Sequence, residues 1–145
     1  MNSGLLAFSA ASAFLGATLY MLIVEQSARL ALDDRAMVQE WRPSNRRGFV
    51  LLSALAVVSA ALAYVTWARL GDVRWLIGGS IVAASLPYVY FVVVPLNNSL
   101  ASVTPDSAGS VSRELVRDWG LLELGLCGVG LAACACLGWA LALPA

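Results

Sequence analysis

The sequence predicts an all-α integral membrane protein folded as a four-helix up-and-down bundle. Three observations carry the prediction. Of 145 residues, 60% are hydrophobic and only 12% charged, and the mean hydropathy is +0.79, which leaves too little polar surface to coat a water-soluble globule. Four runs are apolar over about 20 residues each, enough at 1.5 Å per residue to cross a hydrocarbon core of about 30 Å.

Span one runs from Leu5 to Val24, uncharged until Glu25. It lacks a positive leading segment and exceeds the usual ~7 to 15 apolar residues of a secretory signal, so it reads as a permanent helix. Beyond it, Ala28, Leu30, Leu32, Ala36, Met37 and Trp41 form an imperfect apolar stripe, and Glu25, Arg29 and Asp33 stand four apart. That pattern predicts that the first helix continues to about residue 41. Pro43 then stops it, with Ser44 as N-cap of the next helix. Span two covers Gly48 to Ala68, between Arg46–Arg47 and Arg69. Span three covers Trp75 to Val94 and ends at Pro95, with Pro87 predicted to kink it by freeing a carbonyl near Ala83. After a turn at Thr104–Pro105–Asp106, helix resumes near Ser112, and span four covers Leu121 to Leu143 with Glu123 as its one charge. The chain 1–145 reads as a single transmembrane domain with spans at about 5–24, 48–68, 75–94 and 121–143.

Charge and residue usage exclude several classes of function. The nine cations are all Arg, nine Asp or Glu balance them, and no basic stripe of a nucleic-acid binder appears, so no nucleic-acid partner is expected. The chain has no His, which rules out zinc–His, haem–His and Ser-His-Asp schemes. Cys127, Cys134 and Cys136 sit in one apolar run with neither a CxxC motif nor an even count, and read as small packing residues. No metal site is expected. Seven arginines flank one end of the bundle and two the other. The bias toward cytoplasmic positive charge puts that end inside and both termini outside, in a bacterial inner membrane.

The up-and-down topology gathers most polar residues at that same end. Glu25 and Arg29 close span one, Trp41, Arg46 and Arg47 open span two, Asn97 and Asn98 follow span three, and Trp119 and Glu123 begin span four. Glu123 lies about one turn inside an apolar helix, where an ionised carboxylate is costly unless it is paired or faces a wet cavity. It is either a proton acceptor or ligand contact, or a carboxylate held by a bundle arginine. Glu25 and Arg29 have the i, i+4 acid-before-base spacing of an ion pair; the alternative is a base beside an oxyanion-binding guanidinium. Arg46 and Arg47 suit acidic lipid headgroups. Tyr88 and Tyr90 cannot share one helical face, so only one can line a cavity. Asn97 and Asn98 must hydrogen-bond if buried, by capping or by contacting a ligand. Ser9, Ser12, Gly16 and Tyr20 make a small or polar stripe suited to close helix packing, and so many small residues favour a homo-oligomer.

In order and spacing, several short motifs resemble a family of small four-span membrane proteins that includes the anthrone oxygenases of aromatic polyketide pathways. Gly16-Ala-Thr-Leu-Tyr20 followed by Val24-Glu-Gln-Ser-Ala-Arg29 is similar to its first helix, with Ser27 where proline is usual. Trp41-Arg-Pro-Ser-Asn-Arg-Arg-Gly48 resembles the entrance to its second helix, and Leu86-Pro-Tyr88 with Val94-Pro-Leu-Asn-Asn-Ser-Leu100 resembles the kink and exit of its third. The fourth helix departs from the family. Trp119-Gly-Leu-Leu-Glu123 puts glutamate where the family has histidine, and Leu126 stands in place of an arginine.

The resemblance implies an oxygenase that attacks a polycyclic, anthrone-type aromatic with O2 as co-substrate and no organic cofactor. Glu25 or Glu123 would be the base and Arg29 the anion partner, while Tyr20, Trp41, Arg47, Tyr88, Asn97, Asn98 and Trp119 would surround a flat ligand. Two other classes remain open on the residues. One is a small proton-coupled exporter, although Glu25 lies at the end of span one instead of its middle. The other is a non-enzymatic membrane subunit or scaffold, which the missing family histidine favours.

Overall fold

A computed structural model describes residues 2–143 as four long helices: α1, Asn2–Leu30; α2, Asp34–Leu70; α3, Val73–Ser102; and α4, Ser110–Ala142. Met1, Pro144 and Ala145, the ends of the expected 1–145 domain, lie outside the described residues. Each helix is long and apolar enough to span a membrane, and each covers one of the four expected spans, the last except for Leu143. α1 packs against α2 and α4, and α3 against the same two, so the helices form a ring in up-and-down order. Leu5, Ile23, Phe49, Val57, Val58, Ile77, Phe91, Leu121, Leu131 and other large apolar side chains point outward, which suits a lipid-facing surface and costs nothing in a bilayer. This is a membrane protein.

Small side chains let the helices close up. Ala7 and Ala11 of α1 are buried, as are Ala56, Ser59, Ala60 and Ala63 of α2, and the Ser59 hydroxyl donates to the Ala7 carbonyl at 2.9 Å across the pair. A Cβ at Gly130 of α4 would stand 3.2 Å from the Leu15 Cα of α1, so glycine is what permits that approach.

The first connection differs from the expected one. The helix does not run on to residue 41; the chain breaks at 31–33 and α2 begins at Asp34. Asp33 takes an extended conformation and its carboxylate accepts from the Ala36 N–H at 3.0 Å, so it, and not Ser44, is the N-cap of α2. The open carbonyls at the end of α1 are met from α4, where Arg113 donates to Leu30 at 2.9 Å and Leu32 at 2.7 Å and pairs with Asp34 at 2.6 Å. With both ends of the break satisfied, Pro43 sits inside α2 instead of ending a helix. Arg42 does the same for α3, donating to the Ala101 and Val103 carbonyls at 2.9 and 2.6 Å. α3 in turn does not stop at Pro95 but continues to Ser102.

Two wide turns reset which residues face inward. In α1 the Met21–Glu25 segment is π-helical, and the Gln26 N–H reaches the Met21 carbonyl. The buried face runs Gly4, Ala7, Ala11, Phe14, Thr18 and Met21, and the extra residue in the turn brings Gln26 and Arg29 inward next. In α3 the regular pattern lapses at Ala84, in the turn before Pro87, and a second π turn at Val89–Val93 precedes Pro95, whose ring would otherwise meet the carbonyl of Phe91. α3 packs on α2 along Val73–Ala83 and only sparingly beyond it, so the two helices part toward the polar end.

At the opposite end Gly71 takes φ 71° to terminate α2, the left-handed conformation glycine tolerates without penalty. Asp72 then caps α3. Its carboxylate accepts the Arg74 N–H at 3.0 Å and both guanidinium nitrogens at 2.7–3.0 Å, which holds its carboxyl below the ordinary range. A lowered folded value adds stability above about pH 3.9 and loses it as the pH falls through that lowered value. Asn caps as well as Asp, so thermal melts of Asp72→Asn should show only the loss of the Arg74 pair, at most about 1 kcal/mol at neutral pH, and that loss should shrink as the buffer is taken below about pH 4.

Candidate functional site

Arg29 is the centre of the polar end. It is 1% exposed, because the π turn before it swings its side chain between the helices. Nε donates to Glu40 at 2.5 Å, Nη2 to Glu25 at 2.5 Å and to the Ser44 hydroxyl at 3.3 Å, and Nη1 to Gln26 at 3.2 Å. The Ser44 hydroxyl also donates to the Glu25 carboxylate, and the guanidinium carbon lies 5.0 Å from the centre of the Trp119 ring, a cation–π distance. Gln26 passes its amide hydrogen on to the Val116 carbonyl of α4 at 2.7 Å. One guanidinium thus ties α1 to α2 through Glu40 and Ser44 and leans on α4 through an indole.

Glu123 lies on the inner side of this end, 3% exposed, and its Oε2 has no hydrogen-bond partner. It faces a small chamber of about 20 Å³ shared by Asn45, Ser53, Ser85, Asn97 and apolar side chains of all four helices, room for about one water. The buried Oδ1 of Asn97 and the indole N–H groups of Trp41 and Trp119 are likewise unpartnered. All four of these atoms belong to residues the sequence singled out.

A much larger opening lies on the lipid side of Arg29. Between α1 and α2 is a cleft of about 590 Å³ lined by Ala17, Tyr20, Met21, Glu25, Glu40, Pro43, Ser44, Arg47, Gly48 and Leu51, within the size range of small-molecule sites. Its polar end carries two carboxylates and a guanidinium, its floor is apolar, and Met21 separates it from the inner chamber. Met21 also packs on Gly48, where a Cβ would come within 2.7 Å of the methionine methyl.

The ten candidate residues therefore divide into groups. Glu25, Tyr20 and Arg47 line the cleft, Tyr20 at 59% exposure instead of in a buried helix contact. Glu123 and Asn97 face the inner chamber. Arg29, Trp41 and Trp119 are enclosed, and with its nitrogens already engaged Arg29 offers no face to a ligand. Tyr88 gives its hydroxyl to the Leu122 carbonyl at 3.0 Å, and Asn98 points outward. Sequence reasoning missed Glu40, Ser44 and Gln26. Glu40, Ser44 and Arg47 do share the i, i+4, i+7 spacing of one helical face, a signal that becomes readable only once α2 is known to start at Asp34. Among the described residues no three Cys, Asp or Glu side chains gather as a metal site would require.

A family model described as anthrone oxygenase matches residues 41–136. The chain belongs to the anthrone oxygenase family. The matched region runs from Trp41 of α2 to Cys136 of α4, so in this anthrone oxygenase family member it includes Arg47, Tyr88, Asn97, Asn98, Trp119 and Glu123, while Glu25 and Arg29 of α1 lie before it. No curated protein and no solved structure matches the chain.

The Arg29 cluster makes a direct prediction. Arg29→Met leaves two carboxylates facing each other without a cation and should cost less than the ~3–5 kcal/mol of a fully buried broken pair, because both carboxylates are partly exposed, while Arg29→Lys, unable to fork between them, should fall between that and wild type. Thermal unfolding of the two variants, beside Arg29→Met combined with Glu25→Gln and Glu40→Gln, checks the assignment; the combined variant should recover part of the loss.

Proposed function

We propose that this family member is a membrane-embedded oxygenase of polycyclic, anthrone-type phenolic compounds, using O2 directly and no organic cofactor. The observation that carries the reading is the α1–α2 cleft. It is open to lipid, has an apolar floor, and holds Glu25 and Arg47 at one end where a flat ligand would lie. Family membership supports an oxygenase-type role in the same direction.

A methylene flanked by aromatic rings is acidic enough for a carboxylate base in a dry site. Glu25 takes its first proton, and the electron pair left behind delocalises into the ring carbonyl as an enolate beside the Arg47 guanidinium. The enolate reduces O2 and forms a carbon–oxygen bond, and the resulting peroxide picks up the proton Glu25 carries. Glu25 then removes the second hydrogen of the former methylene as the oxygen–oxygen bond breaks. The products are a ring carbonyl and one water, so one CH2 and one O2 are accounted for. Arg29 acts as a positioning residue, holding Glu25 and Glu40 at the edge of the cleft. Arg47 replaces Arg29 as anion partner because its side chain is exposed to the cleft. The exposed Arg46 and Arg47 support a cytoplasmic position for the polar end.

The test gives protein in lipid nanodiscs an anthrone in air and analyses the products by mass spectrometry. Conversion to the quinone should require O2, fall by about 10²-fold or more in Glu25→Gln, and show a raised KM in Arg47→Ala. No turnover of an anthrone or of other hydroxylated polycyclic aromatics would overturn the reading in favour of a transporter or a scaffold.

A further inference from the structure

The inner chamber is not used by the reaction proposed above, and its chemistry points to a ligand of its own. Glu123 is buried with Oε2 unpartnered, and the buried Oδ1 of Asn97 is also unpartnered. Both residues line the same small space. Ser85 also borders it, and its hydroxyl hydrogen is already committed to the Val82 carbonyl at 2.7 Å, so it too has only lone pairs left to offer. Arg29, the nearest guanidinium by sequence logic, is turned to Glu25, Glu40, Gln26 and Ser44 instead. Asn45 and Ser53 also border the space, but no donor of the lining reaches either acceptor, and buried acceptors left without a donor are costly.

The chamber is also connected to the outside of the bundle. Where α3 parts from α2 beyond Ala84, a window of about 120 Å³ lies between Phe49, Ser53, Leu86, Val89, Tyr90 and Val94. Four of these, Phe49, Ser53, Leu86 and Val89, line the chamber as well. The window faces the apolar surface formed by Tyr90 and Phe91, so what reaches it comes from the hydrocarbon region. It is separate from the α1–α2 cleft, lying on the other side of α2.

We propose that the chamber is a binding site for a single hydroxyl group, which enters from the bilayer between α2 and α3 and shares its one hydrogen between the Glu123 and Asn97 oxygens. The chamber admits one oxygen atom and the window a small apolar body behind it, which fits the hydroxyl of a membrane-dissolved phenol. A water molecule presents the same donor chemistry. This inference does not rest on the oxygenase reading, since binding is measured without turnover.

The experiment measures binding of p-cresol and of its methyl ether, 4-methylanisole, to the protein in nanodiscs, each corrected for uptake by protein-free nanodiscs. A phenol held by both acceptors should bind about tenfold or more tightly than the ether, which cannot donate. Ser53→Phe fills the window and should abolish the preference, while Asn97→Leu leaves Glu123 as the sole acceptor and should reduce it; the helical content and melting cooperativity should persist in both. If the ether and the phenol bind alike, nuclear Overhauser contacts from a long-lived water to the Val89 and Leu126 methyls, lost in Asn97→Leu, identify water as the donor. A cresol preference that survives both substitutions overturns the proposal. So does the absence of both a cresol preference and the water contacts.

Discussion

One guanidinium without water around it governs the polar end of this bundle. Arg29 cannot be left bare inside the protein, so Glu25, Glu40, Gln26 and Ser44 must converge on it, and Trp119 must lie under its face. These partners come from α1, α2 and α4. Their convergence fixes how the helices meet at that end, much as the small-residue contact of Ala7 and Ala11 with Ser59 and its neighbours fixes the other half of the α1–α2 pair. Such an arrangement adds little net energy over a well-packed apolar one, but it penalises any other register, because a shifted helix would bury a charge alone.

The two π turns are what make this convergence possible. An unbroken α-helix with the register of Phe14, Thr18 and Met21 would carry Glu25 and Ala28 inward and leave Gln26 and Arg29 on the shoulder. The additional residue in the Met21–Glu25 turn reverses those roles. In α3 the irregular stretch from Ala84 to Val93 bends the helix away from α2 while keeping Leu100 and the Asn97 turn in the core. Wide turns of this kind are uncommon and tend to occur where function needs them. Here one sits beside the α1–α2 cleft and the other beside the α2–α3 window.

The four spans were legible because a hydrocarbon solvent leaves a plain compositional record. The inward position of Glu123 was legible for the same reason, since a lone carboxylate in an apolar run has nowhere else to go. The Glu25–Arg29 pair could be read from spacing, and both lie at the end of the bundle where topology collects polar groups. The break at 31–33 was not legible. The apolar stripe from Ala28 to Trp41 continues across it, Pro43 looks like the stronger stop signal, and the group that satisfies the broken end, Arg113, is remote in sequence. Missing the break also hid Glu40 and Ser44, which reach Arg29 only because α2 is capped at Asp33 and not at Ser44. The π turn of α1 leaves no residue signature at all, so neither the enclosure of Arg29 nor the separation of the cleft from the Glu123 chamber could be foreseen.

Both openings face the side of the bundle instead of its ends, and this changes the meaning of affinity for anything that binds there. A molecule already dissolved among lipid chains has left water before it meets the protein, so the apolar walls of the cleft add little to its hydrophobic transfer. Its occupancy follows its mole fraction in the bilayer, and an apparent constant expressed in aqueous concentration will drift with the lipid-to-protein ratio and the partition coefficient of the ligand. Discrimination among such molecules then falls to the few polar atoms within reach, because polarity is the one property on which a lipid-soaked site can still tell them apart.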